Sequence, residues 1–199
     1  MNAQDSTPHT QRRTLTIAVL IGLLTLSLAG IISRAQDNTL SLKDEREFKS
    51  TIPEHVPIKV KVTKPEKVKD LKNEEWLGDL EVEVTNTGKK PIYFLSLSLH
   101  LPEVEGDTEG SIIGYQLRYG RIELVDLGAS LQPDDMPLQP GGSIFLKVPE
   151  NSVGGWKLFK VRKKISAPKK IRLRLQLLNH GDGTGFRGSD GTPLPTIKS

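Results

Sequence analysis

The chain has 199 residues, no cysteine, and 28 Lys+Arg against 24 Asp+Glu, for a formal net charge of +4. The lack of cysteine excludes disulfides, zinc–thiolate sites, thiol nucleophiles and lipoprotein acylation together, so stability must come from a packed core. The positive balance is no argument for nucleic acid, because residues 36–199 hold 25 Lys+Arg against 23 Asp+Glu.

The first element is residues 14–32, TLTIAVLIGLLTLSLAGII, nineteen residues without a charge behind Arg12 and Arg13. As a helix it would be about 28 Å long, close to the thickness of the hydrocarbon layer of a bilayer. It reads as a transmembrane anchor, with a cleaved signal peptide as the alternative, since Ser33-Arg34-Ala35 supplies small residues at −3 and −1 of a cleavage site. The run exceeds the usual apolar core of a signal peptide, which favours the anchor. Both readings leave residues 1–13 as a cytoplasmic basic n-region and export the rest. The expected location is therefore a single-pass membrane protein with an exported C-terminal domain, or a secreted or periplasmic protein after cleavage near Ala35. Residues 33–53 are polar, with little to bury, and read as a tether.

From there period-two alternation dominates, which places successive side chains on opposite faces of a strand. Val56 to Val62 alternates with Lys59 and Lys61 outward, and Leu80 to Thr85 does so with Glu81 and Glu83 outward. Asn86-Thr87-Gly88-Lys89-Lys90-Pro91 is a turn. In the next strand Tyr93, Leu95, Leu97, Leu99 and Leu101 share one face, with Ser96, Ser98 and His100 opposite. Further strands are expected at 111–118, 120–127, 143–149 after Pro140-Gly141-Gly142, and 170–178, where Ile171, Leu173, Leu175 and Leu177 take the inner face. Residues 64–76 break the alternation and fit a short helix or a charged loop. About seven strands, with no helical pattern long enough to cover a parallel sheet, predict an all-β domain over 54–179, an antiparallel β-sandwich. A Gly/Pro-rich C-terminal segment, 180–199, follows it.

The stretches LEVEVTNTGKKPIYFLSLSL and LQPGGSIFLKVP resemble the strand, Asn-x-Gly turn, strand and Pro-Gly-Gly, strand layout of immunoglobulin-like domains in bacterial envelope proteins, over roughly residues 56–178. The resemblance implies an immunoglobulin-like antiparallel β-sandwich behind one N-terminal hydrophobic helix. It brings no functional residues with it, because such sandwiches serve many roles.

Four constellations bear on function. The Gly-rich segment 179–191 contains GTGFRG, a formal GxGxxG, but Pro193 and Pro195 follow where a dinucleotide fold needs a helix. Its Asp182 and Asp190 are candidate calcium ligands, competing with a structural loop whose glycines take positive φ and whose Asp side chains bond their own backbone. The second is basic: Lys157, Lys160, Arg162, Lys163, Lys164, Lys169, Lys170, Arg172 and Arg174, with no acid between Trp156 and Asn179. This is a candidate surface for anionic lipid headgroups or acidic envelope polymers, against the reading of a solvated strand and loop that resist aggregation. The third is acidic, Glu103, Glu105, Asp107 and Glu109, whose complementarity to the basic stretch permits self-association. The fourth is catalytic and nearly empty. Ser166-Ala167-Pro168-Lys169 matches SxxK only formally, and His55, His100 and His180 lack the spacing of a triad or zinc site. Trp76 and Trp156 read as core or edge cover.

These readings lead to a non-enzymatic exported module, tethered through residues 14–32 or secreted, acting as a binding or structural component of the cell envelope. Its expected partner is an envelope protein or an anionic polymer, without nucleic acid and without a resident cofactor. A calcium-dependent binding module built on Asp182 and Asp190 is the alternative.

Overall fold

The alternating segments pair as strands in the computed structural model, which describes residues 45–194. The n-region 1–13, the apolar run 14–32, the tether up to residue 44 and the tail 195–199 lie outside the described residues. Among those described, no helix is long and apolar enough to cross a membrane. Strands take 40% of these residues and helices 18%, so the domain is mostly β.

In chain order the elements are β1 (Glu47–Ser50), β2 (Ile58–Val62), α1 (Pro65–Lys69), α2 (Trp76–Asp79), β3 (Glu81–Asn86), β4 (Phe94–Glu105), β5 (Ile112–Tyr119), a 3-10 turn (Ile122–Val125), β6 (Ser143–Lys147), α3 (Glu150–Lys163), β7 (Lys170–Asn179), β8 (Gly185–Arg187) and β9 (Thr192–Leu194). The small sheet has the order β2-β3-β6, antiparallel throughout. The large sheet runs β5-β4-β7-β8-β9, and β1 adds to β7 in parallel.

Both sheets feed one hydrophobic cluster: Val82 and Val84 of β3, Leu146 of β6, Leu95, Leu97, Leu99 and Leu101 of β4, and Ile171, Leu173 and Leu175 of β7. The four β4 leucines are fully buried, and each contributes about 1.5–3 kcal/mol of transfer free energy. The two turns that carried the family resemblance meet at Asn86. Its backbone N–H donates to Gly142 O at 3.0 Å, and Gly141 N–H donates to Asn86 O at 2.8 Å.

Several expectations change. Residues 120–127 form the 3-10 turn and a loop rather than a strand. Leu177, expected on the inner face, lies on the opposite one with Phe94 and Leu124, because a bulge intervenes in β7. Leu175 faces Leu97 and Leu177 faces Ser96, so Gln176 is an extra residue on one strand. One extra residue reverses every side chain beyond it, and Leu178 takes the inner position instead. Tyr93, expected with the β4 leucines, also packs against the outer cluster.

The tether was expected to run to residue 53, yet residues 47–50 pair with β7 and Arg46 is only 1% exposed. Arg46 donates from Nε to Pro168 O at 2.9 Å and from Nη1 to Val68 O at 2.5 Å, and its guanidinium sits 4.5 Å from the Trp76 ring. Burial lowers its pKa to about 10. The chain is thus fastened where it joins the sheet.

Residues 64–76 hold α1, opened by Pro65 at its first turn, and lead into α2. The longest helix among the described residues, α3, lies where the sequence pattern predicts none. Its inner stripe is Val153, Trp156 and Phe159. Trp156 meets Trp76 edge-on at 6.3 Å between ring centroids and stacks on Phe159. Lys164 ends the helix in the left-handed region at φ 53°, with Ile165 N–H returning to Lys160 O.

Candidate functional site

The Gly-rich segment is not an appendix to the domain: β8 and β9 extend the large sheet from β7. GTGFRG runs from the bend before β8 through β8 into the turn after it, which leaves no helix N-terminus to receive a pyrophosphate. Gly191 has φ +64°, and a Cβ there would fall 2.5 Å from Val56 Cγ2, so only glycine fits where the hairpin crosses the chain.

Asp182 accepts from Lys90 Nζ at 2.7 Å and from Thr184 N–H at 3.0 Å. Partial burial works to raise its pKa, but hydrogen bonds from Lys90 and Thr184 outweigh it and hold the carboxyl down to about 2. Asp190 accepts from Thr192 Oγ1 at 2.7 Å. Each carboxylate therefore serves its own turn, in the Asx manner. An ammonium group occupies the Asp182 site where a calcium ion would need to sit, and no group of three or more His, Asp or Glu converges among the described residues.

Beside this hairpin lies an open groove of about 360 Å³, lined among others by Pro57, Lys89, Lys90, His180, Phe186 and Leu194. Phe186 sits between two imidazoles, with ring centroids 6.1 Å from His55 and 6.2 Å from His180. His55 Nε2 contacts Gly191 O at 2.8 Å, and His180 Nδ1 contacts Pro91 O at 2.9 Å.

The nine basic residues divide between two environments. On α3, Lys157 pairs with Glu75 at 2.6 Å, Lys160 with Glu74, and Arg162 and Lys163 share Asp107 at 2.7 and 3.2 Å. At the start of β7, Glu103 pairs with Lys170 at 3.4 Å and accepts the backbone N–H of Lys169 at 2.8 Å. Two of the four acidic residues, Glu103 near the end of β4 and Asp107 just after it, are thus intramolecular partners of the basic stretch. Hydrogen bonding from Lys163 lowers the Asp107 pKa; in Glu103 burial works upward and is outweighed by the Lys169 and Lys170 bonds. Lys164 and Arg174 have no ion pair among the described residues.

Arg172 and Arg174 project from the outer face of the large sheet. Register aligns Arg174 with Ser98, Arg172 with His100 and with Lys49 of β1, Ser98 also with Gln116, Ser96 with Arg118, and His100 with Gly114. Directly opposed residues share a face, so Lys49, Arg118, Arg172 and Arg174 surround Ser98 and His100. Arg172 pairs with Glu47 at 3.1 Å at one margin, while Lys49, Arg118 and Arg174 make no ion pair among the described residues and are exposed. Ser98 Oγ lies 2.7 Å from His100 Nε2. Burial, then the charge of Arg174, pushes the His100 pKa below its ordinary value of 6.5. Gly114 lies beside this pair, where a Cβ would stand 3.7 Å from Ser98 Oγ and 3.9 Å from His100 Cε1.

Sequence reasoning found Arg172 and Arg174 but missed Lys49 and Arg118; the available signal was their period-two placement opposite Phe48 and Leu117, which are inward. The Ser98–His100 contact was readable as an i, i+2 pair on one strand face. Ser166 follows the end of α3 rather than opening a helix, so the SxxK geometry is not formed. No family model, curated protein or solved structure matches this chain.

Proposed function

We propose that this chain is an exported, membrane-tethered, non-enzymatic module of the cell envelope that binds an anionic polymer on the open face of its large sheet. Its two sheets are read as an immunoglobulin-like sandwich elaborated by α3 and by the parallel strand β1. The observation that carries the reading is the cluster of Lys49, Arg118 and Arg174 around His100, exposed and without an ion pair among the described residues. Strands lie about 4.8 Å apart, so these cations form a flat array onto which an extended polyanion can lie across several strands. Such a field concentrates anionic partners and is screened by salt.

The test uses the full-length chain in a zwitterionic detergent with polyphosphate and a polyuronate as probes. Saturable binding that weakens steeply with ionic strength is expected, and binding that ignores salt contradicts the reading. A reporter active only outside the cytoplasm, fused after Ser199, should be active; silence there, with a cytoplasmic reporter working, removes the export claim.

A further inference from the structure

Helix α3 has a second stripe that the core does not use. Val153, Trp156 and Phe159 face inward, and helical spacing sets Asn151, Gly154, Gly155, Leu158, Val161 and Arg162 on the opposite side. All six are exposed, Leu158 at 76% and Val161 at 78%. A Cβ on either glycine would meet nothing within 4 Å. A helix side that only faces water is best filled by Ala, Glu, Lys or Gln, whereas glycine and a β-branched valine both weaken it. Leu158 and Val161, one turn apart, therefore form an apolar spot that the described residues leave uncovered.

The helix packs at the end of the domain where the chain arrives. Arg46 is held by Pro168 O and Val68 O and lies 4.5 Å from the Trp76 ring, which meets Trp156 of α3 at 6.3 Å. Residues 33–45 are all that separates Arg46 from the apolar run 14–32. Thirteen residues reach about 45 Å at full extension, so an anchored chain cannot carry α3 far from the bilayer. Tethering at that range raises the effective concentration of the surface and populates a contact that would be weak on its own.

Of the surfaces able to cover the stripe, a lipid bilayer fits best. Its interface offers an apolar medium to Leu158 and Val161, while Lys157, Arg162 and Lys164 beside them keep their charged ends among the headgroups. A second copy would set the stripe against itself, and the stripe carries Arg162 with no carboxylate to receive it. We propose that α3 lies on the bilayer surface with Leu158 and Val161 dipping into the interface, and so fixes how the domain is presented above the membrane. The inference rests on residues 14–32 being an uncleaved anchor. The contact is apolar, because the four α3 cations already have protein carboxylates, and zwitterionic lipid suffices for it.

The chain has no cysteine, so a single one can be introduced to carry a nitroxide label. The full-length protein, labelled at Leu158→Cys, at Val161→Cys or at Lys89→Cys as the water reference, is reconstituted into phosphatidylcholine vesicles and floated on a density gradient. Lys89 is exposed in the turn after β3, at the end of that strand away from α2. Electron paramagnetic resonance then compares collisions of the label with oxygen, which concentrates in lipid, and with a water-soluble nickel complex. A several-fold higher oxygen-to-nickel ratio is expected at 158 and 161 than at 89. Read from Gly154→Cys on the same stripe, the ratio should fall to the water value once Leu158→Asp and Val161→Asp are added, with an unchanged circular dichroism spectrum. Labels at 158 and 161 that match the one at 89 on floating vesicles overturn the proposal and leave the anchor standing, as does a ratio at 154 that survives both aspartates. A chain that does not float removes the anchor and the proposal with it. Spin–spin broadening at 158 that grows with protein density identifies a second copy on the stripe, which equally overturns the proposal.

Discussion

Two stretches of the same acid-free run, α3 and β7, carry similar numbers of cations and meet opposite fates. The α3 cations point at Glu74, Glu75 and Asp107 and are neutralised where they stand. On β7 Lys170 still meets Glu103, but Arg172 and Arg174 point outward beside Lys49 and Arg118, and of these four only Arg172 has a carboxylate among the described residues. A patch is therefore defined by what neighbours it in space, and a helix can use its charge to dock while a strand of the same charge displays it.

The sharpest way to break that contrast is to reverse the charge in each region. Arg118→Glu together with Arg174→Glu should weaken polyphosphate binding on the order of a hundredfold at low salt, since each change removes one cation and adds one repulsion. Lys157→Glu with Lys160→Glu should leave binding within about twofold and instead lower the melting temperature slightly, as two exposed pairs become repulsive. Equal losses of binding would show that the two regions form one surface.

A smaller effect tests whether α3 is a structural element. Gly154 and Gly155 lie inside the helix, and a Cβ on either would meet nothing within 4 Å. Gly154→Ala should therefore raise stability by about 1 kcal/mol in thermal denaturation without altering polyanion binding. Loss of stability would mean that the outer face of α3 is covered. The smallest effect comes from freeing the α3 cations. Asp107→Asn releases Arg162 and Lys163, and polyphosphate affinity should rise by less than about threefold with little change in melting temperature, because exposed pairs contribute little.

The legibility of the chain follows the same division between local and distant information. Strands β2, β3, β4, β5, β6 and β7 were visible because period-two alternation is written locally. Helix α3 was hidden by Pro149 before it and by Gly154-Gly155 within it, although Val153, Trp156 and Phe159 form a helical stripe. β1 is four residues long and becomes a strand only through β7, a pairing that no local pattern announces. The bulge at Gln176, which sends Leu177 outward, has no sequence signal of its own. At the site, Arg172 and Arg174 could be placed outward from alternation alone, whereas Lys49 and Arg118 join them through strand order.

His100 sits at the centre of the cationic face and reports its field. Its pKa is lowered by burial and by Arg174, so the folded state holds the imidazole neutral where the unfolded chain begins to protonate. Its contribution to stability is present above pH about 6.5 and is lost as pH falls through the folded-state pKa. A polyanion lying on Arg174 and Arg118 offsets the positive field and favours the imidazolium. The most direct measurement is an NMR titration of the His100 ring in the full-length chain with and without saturating polyphosphate. An upward shift of the His100 pKa is expected, one that disappears in Arg174→Glu or at high salt. An unchanged pKa in the presence of bound polyphosphate would contradict it, because the polymer would then sit elsewhere.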